Sequence, residues 1–209
     1  LGLEPEPLGY FETSAETIQF FERMRMEHPN DSKLTEHLGV NYDTCHLAVE
    51  YEEPEAALGA MRAADIRISK LHLSAALIVR PDESTRAKLK PFEEDVYLHQ
   101  VVERLSDGSL NRHRDLDVAL SSNNPAEEWR IHFHIPLHSP GGDWFSSTRG
   151  HIDGVLRELK KDPSLCTHLE METYTWEVLP EEMKNREVVD QLVGEYDWTL
   201  ERLQAHDLV

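Results

Sequence analysis

An acidic residue and a histidine, Asp43 and His46, stand three positions apart at the end of a short apolar stretch, residues 38–42. If this stretch is a buried strand, the carboxylate and the imidazole lie where the chain leaves the sheet, close enough to bind one cation. The chemistry indicated is metal binding. One Asp-x-x-His spacing is a weak signal by itself, because short patterns also occur by chance.

Four other short apolar stretches also end in a carboxylate or a histidine, which strengthens the metal-binding interpretation. Histidines mixed with carboxylates suit zinc, manganese or iron better than magnesium or calcium, which prefer oxygen ligands alone. We therefore expect one or two divalent ions as the cofactor. Ions held in this way polarise a bound oxygen and generate hydroxide from bound water. The predicted metal ligands are Glu4, Asp43, His46, His72, His132, His134 and Glu172.

Each of these residues, taken singly, has a simpler explanation. A histidine in an apolar strand is more often a hydrogen-bonded core residue than a ligand. His132 and His134 share one face because strand side chains alternate, and so do Glu170 and Glu172. The pattern does not decide which of the two glutamates faces a cavity, and Glu172 is chosen because it lies nearer the strand's end. Five stretches that end alike still favour a shared site.

The composition argues against several classes of partner. Forty acidic residues against 21 basic ones give a formal net charge of −19, which repels nucleic-acid phosphates and anionic membranes. We expect no signal peptide and no membrane insertion, since no apolar stretch approaches the roughly 20 residues of a membrane-spanning helix. Cys45 and Cys166 lie beside strand-like stretches and are interpreted as core residues in a reducing compartment. These features predict a cytoplasmic protein that does not bind nucleic acid.

The hydrophobic pattern predicts strands that alternate with helices, beginning with a helix capped by Thr13 or Ser14 and a second that has Pro54 in its first turn. This alternation favours parallel strands joined by right-handed crossovers. The predicted strands are residues 1–7, 38–42, 66–73, 129–135 and 168–176. The predicted helices are residues 14–28, 55–64 and 148–161 and a final helix from 180 onwards.

Residues 81–124 interrupt this alternation and are interpreted as an insertion. Two β-prone stretches flank Asp107-Gly108, which is a good hairpin signal, and a short helix is expected near residues 115–120. We place this inserted hairpin at the same end of the fold as the predicted ligands. With 209 residues and 39% hydrophobic content, the chain is expected to form a single domain, residues 1–209, with a sizeable core.

Functional side chains of parallel β/α barrels collect at the carboxyl ends of the strands, because the loops there surround one cavity. All seven predicted ligands fall at such ends. The expected fold is therefore α/β, with about five β/α units of a TIM (β/α)8 barrel.

The order Glu4, Asp43-x-x-His46, His72, His132-x-His134 and Glu172 resembles the metal scaffold of the xylose-isomerase-like barrels. That family includes sugar isomerases, epimerases and nucleases of the endonuclease-four type, which cut DNA at apurinic sites. The resemblance covers the family's fourth to eighth strands, so it implies the carboxyl-terminal part of a TIM barrel. Two positions differ from the family pattern. Glu6 stands where the isomerases have Lys in Glu-Pro-Lys-Pro, and His132 stands where the nucleases have Asp.

A closer resemblance, over nearly the whole chain, is to the family of metabolite traffic proteins called EboE. It implies a role in moving a secondary-metabolite precursor, with other proteins of that pathway as partners. It also implies an amino-terminal portion that carries the first three strands. The stretches that carry it are residues 3–7, 42–46, 97–100, 132–134 and 172–176.

The leading functional expectation is a metal-dependent enzyme, similar to sugar-phosphate isomerases or epimerases, that acts on a small polyhydroxylated or carbonyl metabolite. His132 and His134 would bind metal or move protons. Glu6 would be a general base, because the like charge of Glu4 beside it should raise one carboxyl pKa. One alternative is a protein that binds and hands over a metabolite without turnover. A second is an apurinic-site nuclease, which the negative charge disfavours.

Overall fold

A computed structural model describes residues 1–93, 96–172 and 187–209 of the chain. The protein is α/β, with one parallel and one antiparallel sheet. The strands are β1 (Gly2–Leu3), β2 (Gly39–Asp43), β3 (Ile68–Leu73), β4 (Leu77–Val79), β5 (Val101–Leu105), β6 (Leu110–His113), β7 (Ala126–Ile131), β8 (Phe145–Ser147) and β9 (Leu169–Met171). The helices are α1 (Ser14–Glu27), α2 (Ser32–His37), α3 (Thr44–Val49), α4 (Pro54–Ala63), α5 (Glu83–Leu89), α6 (Leu116–Ser121), α7 (Gly150–Lys161) and α8 (Val188–Ala205), with a 3-10 turn at Lys90–Phe92.

The parallel sheet has the strand order β1-β2-β3-β9. Asp43 at the end of β2 is the register partner of His72 in β3, and His72 is the partner of Glu170 in β9. All five residues of β2 are buried, so this strand lies in the interior with Val40 and Tyr42 in the hydrophobic core. Because the strands are parallel, their carboxyl ends meet at one edge of the sheet, where the predicted ligands lie.

The antiparallel sheet has the order β6-β5-β7-β4-β8 and corrects one part of the predicted topology. Residues 129–135 were expected to form a fourth parallel strand, but β7 pairs antiparallel with both β4 and β5. The physical reason is β4, a three-residue apolar strand that follows β3 almost at once and offers β7 an antiparallel edge. This sheet contains β5 and β6, which lie within residues 81–124, together with β4 before that range and β7 and β8 after it.

Local sequence signals explain where several elements begin. Thr13 caps α1 in a capping box with Glu16, and Pro54 opens α4. The predicted hairpin is confirmed as β5 and β6, with Gly108 at a φ of +82°, which a residue without a Cβ adopts at little cost. Asp115 caps the short helix α6, close to its expected position.

Two helices that cover the parallel sheet approach each other closely at one glycine. A Cβ added to Gly154 of α7 would lie 2.6 Å from Pro54 Cγ of α4. The missing side chain therefore allows α7 to pack against α4, and both helices bury residues in the same core, such as Met61 and Val155. The core that α4 and α7 share also contains Tyr42 and Leu71 of the parallel sheet.

The remaining predictions concern the chain after β9. The part of the predicted fifth strand from residue 173 to 176, and the predicted start of the last helix at Pro180, lie outside the described residues. The described part of that helix is α8. A bilayer-spanning helix, which needs both length and a mostly apolar sequence, is not found in the part of the chain that the structure describes.

Candidate metal centre

Asp43 is held in one orientation by three hydrogen bonds to a single oxygen. Its Oδ1 accepts from the backbone N–H of Cys45 at 2.7 Å and of His46 at 3.0 Å, because Asp43 is the N-cap of α3. Ser74 Oγ donates to the same oxygen at 2.6 Å. These bonds leave Oδ2 as the oxygen available to a cation, and Asp43 is fully buried.

Three predicted ligands, from the ends of β1, β2 and β9, meet around a fourth, His72 of β3. Nδ1 of His72 lies 3.1 Å from Glu172 Oε2 and 3.4 Å from Glu4 Oε1. Asp43 Oδ2 lies 3.6 Å from the same nitrogen. One ligand atom from each residue can be chosen so that all lie within 4.8 Å of one another. We call Glu4, Asp43, His72 and Glu172 the four-ligand group.

Each carboxylate of this group has one buried oxygen without a hydrogen-bond partner among the described residues. Glu4 Oε1, Asp43 Oδ2 and Glu172 Oε2 are each inaccessible to water and accept no hydrogen bond from the described residues. Burying unpaired carboxylate oxygens costs several kcal/mol, unless a cation compensates them. Three oxygens and one imidazole nitrogen are also a donor set that zinc, manganese and iron accept. The residues therefore fit a divalent ion.

The pKa shifts in the four-ligand group reflect the same crowding of negative charge. Burial lowers the pKa of His72, but the three neighbouring carboxylates outweigh burial and raise this pKa to about 11. Burial alone would raise the pKa of Asp43, yet the charge of His46 and the nearby imidazole of His72 bring it well below its usual range. Burial raises the pKa of Glu172. In the absence of an ion, a protonated His72 supplies the positive charge that the carboxylates require.

A second cluster adjoins the first through Asp43. The rings of His46 and His132 have centroids 4.8 Å apart, and those of His132 and His134 are 5.3 Å apart. We call these three the histidine group. Ligand atoms of Asp43, His46 and His134 lie within 4.8 Å of one another, and so do those of Cys45, His132 and His134. Asp43 thus belongs to the four-ligand group and also offers a ligand atom to the histidine group.

Two of these histidines are neutral at pH 7. Burial lowers the pKa of His134 to about 4 and moves the pKa of His132 well below its ordinary value, with the charge of nearby His46 acting in the same direction on both. A neutral imidazole is the form that binds metal or accepts a proton. Both histidines follow the end of β7, where His132 N–H donates to Gln100 O and Ile135 N–H donates to Ala75 O, each at 2.9 Å. The antiparallel sheet therefore places His132 and His134 next to the edge of the parallel sheet that carries the four-ligand group.

The structure brings together all seven predicted metal ligands, whereas Glu6 is outside these clusters. Glu6 is exposed and lies in a turn, where its carbonyl accepts from Gly9 N–H at 2.9 Å. Glu170 is not a member of the four-ligand group, although its Oε2 lies 3.8 Å from His72 Nε2. Its carboxylate is half exposed and pairs with Lys70 at 2.9 Å.

Sequence reasoning missed two polar residues that support the site. Asn41 Nδ2 donates to Glu4 Oε2 at 2.7 Å and lies 3.1 Å from His72 Nδ1, while Ser74 holds Asp43. Asn41 could have been found, because it lies two positions before Asp43 and therefore on the same face of β2. Ser74 had no comparable signal, since it follows the end of β3.

A cavity of about 410 Å³ lies beside the four-ligand group, large enough for a small metabolite. Its walls come from β1, β2 and β3, from Glu4 after β1 and from the residue before β9, and they expose polar and apolar surface in about equal amounts. The lining residues are Gly2, Glu4, Asn41, Ser69, Lys70, His72 and His168.

Comparisons of this chain with protein-family models, with curated proteins and with solved structures find no match.

Proposed function

We propose that the protein is a metal-dependent enzyme that isomerises or epimerises a small polyhydroxylated or carbonyl metabolite. The observation that carries the proposal is the set of three buried carboxylate oxygens, without hydrogen-bond partners among the described residues, around His72 Nδ1. The adjoining cavity supports it, because a metabolite there would touch Glu4 and His72 directly. Neutral imidazoles beside the carboxylates add ring nitrogens that a divalent ion accepts as ligands.

We propose further that the parallel sheet is the carboxyl-terminal part of a TIM barrel of the xylose-isomerase-like kind. The position of Glu4, Asp43, His72 and Glu172 at the ends of neighbouring parallel strands supports this assignment. The resemblance of the motifs to the EboE family is the basis for proposing a pathway of metabolite traffic, with other proteins of that pathway as partners.

The four-ligand group would hold one ion, with zinc, manganese or iron as the candidates, and the histidine group would contribute to a second. A divalent ion supplies polarisation of a substrate carbonyl or hydroxyl oxygen, which makes a neighbouring proton more acidic. Asp43 offers a ligand atom to both clusters, so its loss should affect either ion.

Proton transfer and substrate orientation are assigned to other residues of the site. His132 and His134, which are neutral at pH 7, bind metal or accept a proton at a ring nitrogen. Glu6 is the proposed general base, on the turn that directly follows Glu4. Lys70 and Ser69 line the cavity and would orient substrate oxygens by donating hydrogen bonds.

The first experiment is elemental analysis of protein purified without chelator. We expect one or two equivalents of zinc, manganese or iron, and loss of this metal in Asp43→Asn. Asp82→Asn is the matched control, because Asp82 is also a helix N-cap, of α5, but is exposed and belongs to neither cluster. A wild-type protein that stays without metal even after reconstitution would overturn the proposal.

The second experiment follows the reaction itself. Metal-loaded protein is incubated in deuterated water with a panel of aldoses, ketoses and their phosphates, and products are followed by NMR and mass spectrometry. Formation of an isomer or epimer supports the enzyme. Binding without product would favour the metabolite-handover function instead. In a parallel incubation with abasic DNA, cleavage of the DNA would favour the nuclease.

A further inference from the structure

His72 has a carboxylate near each of its two ring nitrogens. Glu172 Oε2 lies 3.1 Å from Nδ1, on the side of the four-ligand group, and Glu170 Oε2 lies 3.8 Å from Nε2. Glu170 is the register partner of His72, and Glu172 follows two positions later on the same face of the strand. One strand end therefore places two carboxylates on opposite sides of one imidazole.

We propose that Glu170 is a positioning residue of the metal centre, which accepts the Nε2 proton of His72 so that Nδ1 is the nitrogen facing the ion. Metal-ligating histidines generally donate their second ring N–H to a carboxylate or carbonyl, which fixes the tautomer and the ring orientation. A shift of about 1 Å brings Glu170 Oε2 and His72 Nε2 to hydrogen-bond distance. The inference rests on the proposed function, because it assumes the metal centre, but it gives Glu170 no contact with the ion.

Glu170 has two other partners, which define the competing explanation. The same Oε2 lies 2.9 Å from Lys70 Nζ and 3.6 Å from His168 Nε2. Glu170 could therefore act only as an ion-pair partner that ties β9 to β3. Such a pair, half exposed to water, contributes little stability. The two explanations differ in what happens when Lys70 is removed.

The test measures zinc affinity by competition with a chelating dye. We expect Glu170→Leu to weaken zinc binding by about 10- to 100-fold. Glu170→Gln keeps an acceptor oxygen and should recover part of this loss. Lys70→Met releases the carboxylate to His72, so its affinity should equal or exceed that of the wild type. Glu128→Leu is the control. Glu128 also forms ion pairs, with Arg104 and Arg130 and at an N···O distance of 3.1 Å in each, but it is not part of the four-ligand group.

NMR of the ¹⁵N-labelled histidine rings gives a readout that an ion pair alone would not change. In zinc-loaded protein, His72 should show a metal-bound Nδ1 and a protonated Nε2 whose proton exchanges slowly with water. Glu170→Leu should make that exchange fast. An unchanged His72 spectrum and affinity in Glu170→Leu would overturn the inference, as would a Lys70→Met variant that loses as much affinity as Glu170→Leu.

The metal-free protein separates this inference from the proposed function. A wild type that binds none of zinc, manganese and iron would overturn the proposed metal enzyme. The exchange rate of the Nε2 proton of His72 would still decide whether Glu170 holds the ring, because this measurement does not require an ion.

Discussion

Ser74 donates a hydrogen bond to Oδ1 of Asp43 over 2.6 Å, and both side chains are fully buried. Together with the two backbone donors of α3, this hydroxyl occupies one carboxylate oxygen completely and leaves the other for a cation. The N-cap geometry of a short helix thus also orients a metal ligand. Because Ser74 helps to hold Asp43 in this orientation, its loss should weaken ion binding.

We predict that Ser74→Ala weakens zinc or manganese binding by about 10-fold, because Asp43 loses one of the bonds that fix its orientation. Calorimetric titration with the metal measures this. Ser164→Ala is the matched control, since Ser164 Oγ also donates to an aspartate, Asp162, at 2.6 Å but on the exposed surface. Equal affinities for wild type and Ser74→Ala would show that the backbone donors are sufficient.

The exposed position of Glu6 gives a clear separation of metal binding from catalysis. We predict that Glu6→Gln leaves the metal content unchanged and lowers turnover of an identified substrate by about 100-fold or more, the usual effect of losing a general base. Steady-state kinetics and elemental analysis on the same preparation check both parts. Undiminished turnover would assign proton transfer to His132 or His134 instead.

Two helical glycines should respond in opposite directions to the same substitution. Gly154→Ala places a methyl group 2.6 Å from Pro54 Cγ, and we expect it to lower the free energy of unfolding by about 1–3 kcal/mol. A Cβ at Gly59 of α4 meets no atom within 4 Å, so Gly59→Ala should raise stability by about 0.5–1 kcal/mol. Urea unfolding followed by circular dichroism measures both. A stabilised Gly154→Ala protein would mean that α7 shifts away from α4 without cost.

His151 should make the fold sensitive to acid. Its ring lies 2.9 Å from the hydroxyl of buried Tyr42, and burial lowers its pKa from 6.5 to about 3. Between these two values the unfolded chain binds a proton that the native chain does not, so stability falls as the pH drops below 6.5. The contribution is about 1.4 kcal/mol for each pH unit.

The check is urea unfolding at pH 7 and pH 5 in His151→Gln, which keeps a polar group but has no titrating ring. The loss of stability between the two pH values should be about 2 kcal/mol smaller than in the wild type. His28→Gln, at an exposed position, should keep the wild-type pH dependence. If His151→Gln also keeps it, His151 is not the acid-sensitive group.

Much of the candidate site could be predicted from the sequence, because a polar residue after an apolar stretch marks a strand end. Parallel strands bring such ends together regardless of the connections between them. The antiparallel pairing of β7 could not be predicted in this way. It depends on β4 and β8, which have three residues each and no usable periodicity. Ser74 was missed for a related reason, since its role depends on a side chain 31 positions away.

The pairing of β3 with β9 has a consequence for how the protein is made. In the sequence, the antiparallel sheet and α7 lie between β3 and β9. Pairing β3 with β9 therefore closes a long loop, and this contact should form late in folding. A ribosome delivers Glu4, Asp43 and His72 well before Glu172. The three earlier residues can gather while the chain is still growing, but the fourth arrives only when everything between β3 and β9 has been synthesised and packed. Tight metal retention would therefore report that a molecule has completed its folding through residue 172.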